Sequence, residues 1–385
     1  MQIIKKCDKF SEIIFFIAVL IHIAIMCEEF SAYDIPYRGR LLQVAFVLCC
    51  VKILMTYYEK IEWIAIAAIG AISVASYMLT KEKYVIYLAV LVISARSTDI
   101  KVILLVLFYC VVVSIFVVAL LSFAGYGGTV SETRDFGRGI VETRYMLGFS
   151  HANNLHGTVW YALALMVILF KDKIDWKVYL IATIGNIALY IFTHSKTGLT
   201  VAQLVLVAGF IYRYFNKAIF EKIWIYLAGS VIYVATLILT FISVSVNPWD
   251  DYGPVLTKLN DVLTNRIKLS YESAYIGDWN ALAYGGSHKD TIDNGFVALA
   301  ADYGYIIQIL FILFVAYLMY RTFKDRDGIL FITLITSVFY VFMERSYMIN
   351  DAYLLSDLIV VVAIIYMSHK KLQDDETEKT GQASM

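Results

Sequence analysis

The hydrophobic residues of this chain form long runs that are separated by short polar segments. A helix that crosses about 30 Å of hydrocarbon needs roughly 20 apolar residues, and only helices or closed barrels satisfy their backbone in lipid. No strand-like alternation competes with the runs, which lie near residues 11–29, 39–58, 62–79, 83–95, 100–123, 154–170, 176–193, 197–215, 223–246, 295–320, 328–344 and 351–368. The pattern therefore predicts an all-α polytopic integral membrane protein with about 12 transmembrane helices.

Two polar segments are too long to be simple connections between helices. They cover residues 124–153 and 247–294, and the second lies before the last three predicted spans. Long loops between spans commonly carry function, so we expect the chemistry there. We interpret residues 1–385 as a single transmembrane domain and the polar residues 370–385 as a disordered tail.

The distribution of Lys and Arg predicts the orientation of the chain. If the N-terminus is cytoplasmic, eighteen of these residues fall in inside segments and six in short outside loops. Cytoplasmic loops are enriched in positive charge, so we expect both termini in the cytoplasm and both long loops outside. The first run, Ile13 to Met26, lacks a small-residue cleavage site and is interpreted as a retained span.

Composition supports the membrane assignment and excludes other classes. Hydrophobic residues make up 60% of the chain and its mean hydropathy is +0.71, whereas soluble domains are about 45–50% apolar. The net charge of +0 implies no overall attraction to nucleic acid. The five cysteines show neither paired nor metal-type spacing, so the sequence indicates no disulfide framework.

The end of the first loop carries candidate binding residues. Arg144 precedes "GFSHANN", which leads into a helix with Ser150 or Asn153 as a possible N-cap. A helix start beside an arginine favours anion binding, and surface ion pairing is the alternative. His151 and His156 are five residues apart, which places them on different faces of a helix and disfavours a metal site.

The second loop mixes aromatic residues with charged ones. Trp279 is one of six Trp and Tyr residues that alternate with acids and with Arg266. This mixture is suited to sugar rings, and an aromatic belt at the membrane interface is the alternative. The loop ends in "GGSHKDTIDNGF", which carries His288, Asp293 and Asn294 directly before an apolar run.

Further polar groups are expected at the same outer membrane surface. Lys196 lies in the tight turn "THSKTGLT", where it could extend its charge to water or hold a phosphate at headgroup depth. Glu344 and Arg345 follow the eleventh run. Asp302 and Asp357 lie inside predicted spans, where ionisable groups are costly and are functional candidates by default.

Four segments together resemble the O-antigen polymerase and ligase superfamily. They are "RYMLGFSHANNL" at 144–155, "HSKTGL" at 194–199, the stretch from Arg266 to "DNGF" at 266–296, and "ADYGYIIQIL" at 301–310. Their order and the large loop before the last three spans also agree. Two positions depart from the family pattern. Lys196 stands where the family has Arg, and Asp293 stands where the ligase branch has His, which favours the polymerase branch.

This resemblance implies a GT-C-like, metal-independent glycosyltransferase on the outer face of the cytoplasmic membrane. Such a Wzy-type polymerase joins undecaprenyl-diphosphate-linked oligosaccharide repeat units, as donor and acceptor, into a capsule, an O-antigen or another surface polysaccharide. It implies no cofactor, no nucleic acid, and a chain-length regulator as a possible partner. The alternatives are a ligase that transfers finished glycan to another acceptor, and a flippase or other transporter of lipid-linked oligosaccharide.

The same resemblance suggests roles for individual residues. Asp293 is expected to be the catalytic base with His288 as the alternative, and Arg266 is expected to hold the diphosphate. The remaining candidates for substrate binding are Arg144, His151, Asn153, Lys196, Trp279, Asn294, Glu344 and Arg345. Among these, Arg144 and Lys196 are further diphosphate candidates, and Asn294 would orient a sugar hydroxyl or the loop. Glu344 and Arg345 would form a structural or acceptor-side pair.

Overall fold

A computed structural model describes most of the chain. The described residues are 2–29, 36–136, 141–246, 253–263, 265–275, 292–344, 354–355 and 357–368, and the side chains of 2–8, 29 and 273–275 are excluded. His288, Trp279 and Arg345 lie outside these ranges, as does the tail predicted at 370–385.

The described residues fold into α-helices and one short hairpin. The first half contains α1 (Gln2–Glu29), α2 (Arg38–Met55), α3 (Lys60–Thr80), α4 (Tyr84–Ser94), α5 (Ile100–Phe123), β1 (Ser131–Asp135), β2 (Val141–Tyr145), α6 (Ala152–Phe170) and α7 (Trp176–Thr193). The second half contains α8 (Lys196–Tyr214), a 3-10 turn (Lys217–Glu221), α9 (Ile223–Ser245), α10 (Gly253–Val262), α11 (Arg266–Tyr275), α12 (Gly295–Tyr303), α13 (Tyr305–Lys324), α14 (Gly328–Met343) and α15 (Leu358–Ser368).

The chain is a helical multi-pass membrane protein, and the number of about twelve spans stays a prediction. Within the described residues, eight helices are long and apolar enough to cross a membrane: α1, α3, α5, α6, α7, α8, α9 and α13. Helices α4, α14 and α15 are apolar but shorter. Helix α2 carries Arg38, Arg40 and Lys52 within its 18 residues. Long apolar runs therefore do not each correspond to one full span.

The run predicted as one span at 295–320 is two helices. Gly304 separates α12 from α13 and has φ 84°, in the left-handed range that favours glycine. Its N–H still donates to the Ala300 carbonyl at 2.8 Å, which closes α12. The hydrophobic pattern continues across the break because both helices bury apolar side chains, so hydropathy alone does not detect it.

The all-α prediction is confirmed, and the first long loop adds a short hairpin that the sequence did not predict. Strands β1 and β2 pair antiparallel, with Thr133 opposite Thr143, Glu132 opposite Arg144 and Arg134 opposite Glu142. Each strand contains the sequence Glu-Thr-Arg, and the antiparallel register places the Glu and Arg of one strand opposite the Arg and Glu of the other. The hairpin is thus held by side chains that a hydropathy profile reports only as polar.

Helix α14 lies at the centre of the bundle. Fourteen of its 16 residues are buried, and it packs against α8, α9 and α15. The ring of Tyr340 stacks on Trp160 of α6 with centroids 4.7 Å apart. By contrast, α3 and α7 expose most of their apolar side chains, as expected for peripheral helices that face lipid. Because α14 is packed on nearly all sides, the residues at its two ends are held in fixed positions.

Helices α6 and α8 approach closely at Gly198. A Cβ atom there would lie 2.5 Å from Cγ of His156. The imidazole of His156 is held between α6 and α7 by hydrogen bonds with Thr193 Oγ1 and Asn186 Oδ1, both 2.9 Å long. The glycine in "HSKTGL" is therefore explained by packing, since the ring has no room to move away.

We predict that Gly198→Ala destabilises the protein, because the added methyl group overpacks the contact with His156 at a cost of about 1–3 kcal/mol. Gly185→Ala is the matched control. Gly185 lies within α7, where an added Cβ would meet nothing within 4 Å. Thermal unfolding in detergent measures both variants. Equal melting temperatures for the two variants would contradict the close approach.

Candidate functional site

Four segments that are distant in sequence meet at the guanidinium of Arg266. This residue is the first of α11 and follows Asn265, which has φ 64°. Its Nη1 bonds to Oδ2 of Asp293, and its Nη2 donates to Oε1 of Glu344 at 2.8 Å. The same Glu344 oxygen accepts a hydrogen bond from Nδ2 of Asn153 at 2.7 Å. Arg266, Asp293, Glu344 and Asn153 form what we call the Arg266 cluster.

The helices of the bundle fix the positions of the Arg266 cluster. Glu344 is the residue that ends α14, and its N–H donates to the Tyr340 carbonyl at 2.8 Å. The Tyr340 hydroxyl donates to the carbonyl of Asn153 at 3.1 Å, which joins the end of α14 to the first turn of α6. Asn153 and Glu344 therefore lie on two packed helices rather than on free loops.

Asn294 holds the chain beside Asp293. Its Oδ1 accepts hydrogen bonds from the N–H groups of Phe296 and Val297 and caps the N-terminus of α12. Its Nδ2 donates to Thr240 of α9 at 3.4 Å, and its side chain is buried. Both ends of this amide thus have protein partners, which places Asn294 as an anchor for Asp293.

Strand β2 contributes charged residues near the Arg266 cluster. Arg144 is buried, its Nε donates to Oε1 of Glu142 at 2.8 Å, and its guanidinium lies 4.0 Å from the Phe136 ring centroid. The other Glu142 oxygen lies 3.4 Å from Nδ1 of His194 in the α7–α8 turn. Glu142 thus links the hairpin to the turn that contains "HSKTGL".

His151 is a neutral hydrogen-bond donor in this structure. Its Nδ1 accepts the backbone N–H of Asn153 at 3.2 Å and caps α6, so the ring proton lies on Nε2. Burial lowers the pKa of His151, and the positive charges of Arg144, Arg134 and Arg266 lower it further. His151 can therefore offer an N–H to a ligand without carrying a charge.

The pKa of Glu344 is raised, whereas that of His151 is lowered. Burial raises the pKa of its carboxyl group, and the Arg266 guanidinium and the hydrogen bond from Asn153 only partly offset that effect. Both donors bind Oε1, and within the described residues Oε2 has no hydrogen-bond partner. The result is a carboxylate that is held in place by one oxygen and presents the other.

Most of the predicted site residues that the structure describes lie together. Arg266, Asp293, Asn153 and Glu344 are in direct contact, and Arg144 and His151 are near enough to act electrostatically on Glu344 and Arg266, respectively. Lys196 is the first residue of α8 and is exposed. No described contact joins its side chain to the cluster.

Sequence reasoning missed Glu142 and Phe136 as parts of this site. Both act through the hairpin, since Phe136 follows β1 and Glu142 lies on β2. The repeated Glu-Thr-Arg at 132–134 and 142–144 is the signal that could have revealed the pairing.

No family model, no curated protein and no solved structure matches this chain. The site must therefore be interpreted from its own geometry.

We predict that Arg144→Gln raises the pKa of His151. Of the nearby positive charges, that of Arg144 lowers the pKa of the ring most, and the substitution removes it. The pH dependence of carbethoxylation, followed on the His151 peptide by mass spectrometry, measures this pKa. Arg213→Gln is the control, since Arg213 lies in the last turn of α8, at the opposite end of that helix from the α7–α8 turn. An unchanged His151 titration in Arg144→Gln would show that the hairpin charge does not reach the ring.

Proposed function

We propose that the protein is a membrane glycosyltransferase that polymerises undecaprenyl-diphosphate-linked oligosaccharide repeat units into a surface polysaccharide. The observation that carries the proposal is the Arg266 cluster. It brings a guanidinium, two carboxylates and an amide together beside a buried arginine and a neutral histidine donor. The resemblance of four segments to the O-antigen polymerase and ligase superfamily supplies the reaction class.

The basic residues suit the leaving group. When the glycosidic bond to the carrier breaks, negative charge develops on the departing diphosphate, and fixed cations or N–H donors stabilise it. Arg266 retains an Nε–H that has no partner among the described residues. Arg144 contributes a second guanidinium, and His151 contributes an uncharged N–H.

The two carboxylates suit removal of a proton from the acceptor hydroxyl. The sequence suggested Asp293 or His288 as the base, and Glu344 as a structural or acceptor-side residue. We propose Glu344 as the base, because its Oε2 has no partner among the described residues and its raised pKa makes it a stronger base than an ordinary glutamate. Asp293, which the sequence favoured, then holds Arg266 in position from the opposite side.

The proposed step conserves atoms and charge. Glu344 accepts the proton of the acceptor hydroxyl, and that oxygen forms the new bond to the anomeric carbon. The bond from this carbon to the diphosphate breaks, and its electron pair stays on the phosphate oxygen beside Arg266. A carboxylate that accepts this proton is expected to contribute about 10²–10⁴-fold to the rate.

The location of the reaction is part of the same proposal. The bias of Lys and Arg along the sequence places both termini in the cytoplasm and the cluster on the external face of the cytoplasmic membrane. Donor and acceptor lipids would then meet the cluster at headgroup depth. A polysaccharide chain-length regulator is the protein partner that this activity would require.

We predict that Arg266→Ala abolishes long polysaccharide chains, because the cluster loses the cation that faces both carboxylates. The readout is the chain-length ladder on an electrophoretic gel, from cells in which the variant replaces the native protein, with membrane levels checked by immunoblot. Arg213→Ala is the matched control. A normal ladder in Arg266→Ala would remove Arg266 from the site.

The same gel separates the ligase alternative. Loss of a polymerase leaves single repeat units attached to their final acceptor, whereas loss of a ligase leaves long chains on the carrier lipid. We expect single units. Long carrier-linked chains in the Arg266→Ala strain would favour the ligase.

We predict that Glu344→Gln slows polymerisation about 10²–10⁴-fold and removes the acid limb of the pH–rate profile. The base must be unprotonated, so the native rate falls as pH drops through its pKa. Because burial raises that pKa, the fall begins at higher pH than for an exposed glutamate. Initial rates in proteoliposomes with lipid-linked repeat units measure this profile.

Asp293→Asn is the comparison for this experiment. It removes a carboxylate from the same guanidinium, so we expect a slower rate but a retained acid limb. If Glu344→Gln keeps the limb and Asp293→Asn loses it, the two roles are reversed.

A further inference from the structure

Three half-length helices lie inside the bundle. Helices α4 and α15 have 11 residues each and α12 has 9, so each is only about 13–17 Å long, roughly half of the hydrocarbon thickness. Helix α4 packs against α15, and the first residue of α4, Tyr84, has its ring 6.1 Å from that of Tyr303, the last residue of α12. Ends of helices therefore meet within the protein rather than at its surface.

Asp357 lies where these helix ends meet. It directly precedes α15, and its side chain is 2% exposed. Its Oδ1 accepts hydrogen bonds from the Ile359 N–H at 2.8 Å and the Ser337 hydroxyl at 3.0 Å. Its Oδ2 is buried and has no partner among the described residues. The burial of this oxygen without a hydrogen-bond partner needs an explanation.

The depth of Asp357 follows from its contact with α14. Ser337 is nine residues after Gly328 and six before Met343, so it lies about 14 Å from one end of the helix and about 9 Å from the other. Asp357 is therefore separated from the Arg266 cluster by about two turns of α14, and the proposed chemistry makes no use of it.

Two tyrosines lie within electrostatic range of the Asp357 carboxylate. Its charge acts electrostatically on Tyr84 and on Tyr161. The Tyr84 hydroxyl is buried and, like Oδ2, lacks a hydrogen-bond partner among the described residues. Tyr161 donates to the carbonyl of Leu355. Ser337 of α14 thus contacts Asp357 directly, and Tyr84 of α4 and Tyr161 of α6 lie within its electrostatic range.

A buried charge needs a partner of opposite sign. Within the described residues, no Lys, Arg or His forms an ion pair with Asp357, whereas the less buried Glu344 pairs with Arg266. Burial opposes ionisation of the Asp357 carboxyl group, and the two hydrogen bonds to Oδ1 and the positive end of α15 offset that cost only in part. A cation with oxygen ligands is the counterpart that these groups would accept.

We propose that Asp357, with the hydroxyl groups of Tyr84 and Ser337, binds a monovalent cation of the Na⁺ type at the centre of the bundle. A single carboxylate balances one positive charge, whereas a divalent ion would leave a net charge buried. Hard cations of this kind take oxygen ligands. The ion would fix the ends of α4 and α15 against α14. This inference does not depend on the proposed glycosyltransferase activity.

The test is thermal unfolding of the purified full-length protein in detergent. NaCl replaces choline chloride at constant ionic strength, so that only the identity of the cation changes. We expect the melting temperature to rise with Na⁺ concentration, because a ligand that binds only the folded state stabilises it by mass action. In Asp357→Asn, which keeps the cap on α15, the dependence on Na⁺ should disappear.

Two further variants complete the experiment. Asp99→Asn is the matched control, because Asp99 caps α5 in the same way but is exposed, and it should keep the full dependence on Na⁺. Tyr84→Phe retains the carboxylate and loses one oxygen, so it should weaken the dependence even if Asp357→Asn does not fold.

The proposal is overturned if the native protein melts at the same temperature in Na⁺ and choline. It is equally overturned if only pH changes that temperature, because a proton would then neutralise Asp357. A dependence on Na⁺ that persists in Asp357→Asn and Tyr84→Phe would place the ion elsewhere.

Discussion

The arrangement of the candidate site depends on one guanidinium that is shared by two carboxylates. Arg266 reaches Asp293 on one side and Glu344 on the other, and through Glu344 it is connected to Asn153. Two carboxylates held this close would repel each other without a cation between them. Arg266 therefore fixes their separation and ties α11, which belongs to the second long loop, to the helices of the membrane bundle.

The cluster is rigid because its acids and amides are attached to helix ends. Glu344 ends a helix that is buried on nearly all sides, and Asn294 holds Asp293 at the start of α12. Tyr340 of α14 stacks on Trp160 and donates to the Asn153 carbonyl. These two contacts hold the start of α6 against α14. The proposed transfer of a proton and a glycan needs such fixed geometry, since misplacement of a reacting group by about 1 Å can cost a hundredfold in rate.

Sequence patterns named residues that the structure brings together, but they did not predict how these residues are arranged. The residues of the cluster could be named because charged groups beside apolar runs are conspicuous, but the distances between them could not, since Asn153 and Glu344 are 191 positions apart. The sequence patterns also failed to predict two features of the backbone. The break at Gly304 lies within a continuous apolar run, and the hairpin has to be recognised from the complementarity of two Glu-Thr-Arg segments rather than from hydropathy. The cap formed by His151 likewise depends on a rotamer, which spacing along the chain does not reveal.

The break at Gly304 has a consequence for how the site tolerates its membrane. A long helix adapts to bilayers of different thickness by tilting, and a tilt displaces both of its ends. Helix α12 is capped by Asn294 and closed at Gly304, so it is a separate element from the 20-residue helix α13. Gly304 is the point at which a tilt of α13 can be taken up before it reaches the start of α12, where Asn294 holds the chain beside Asp293.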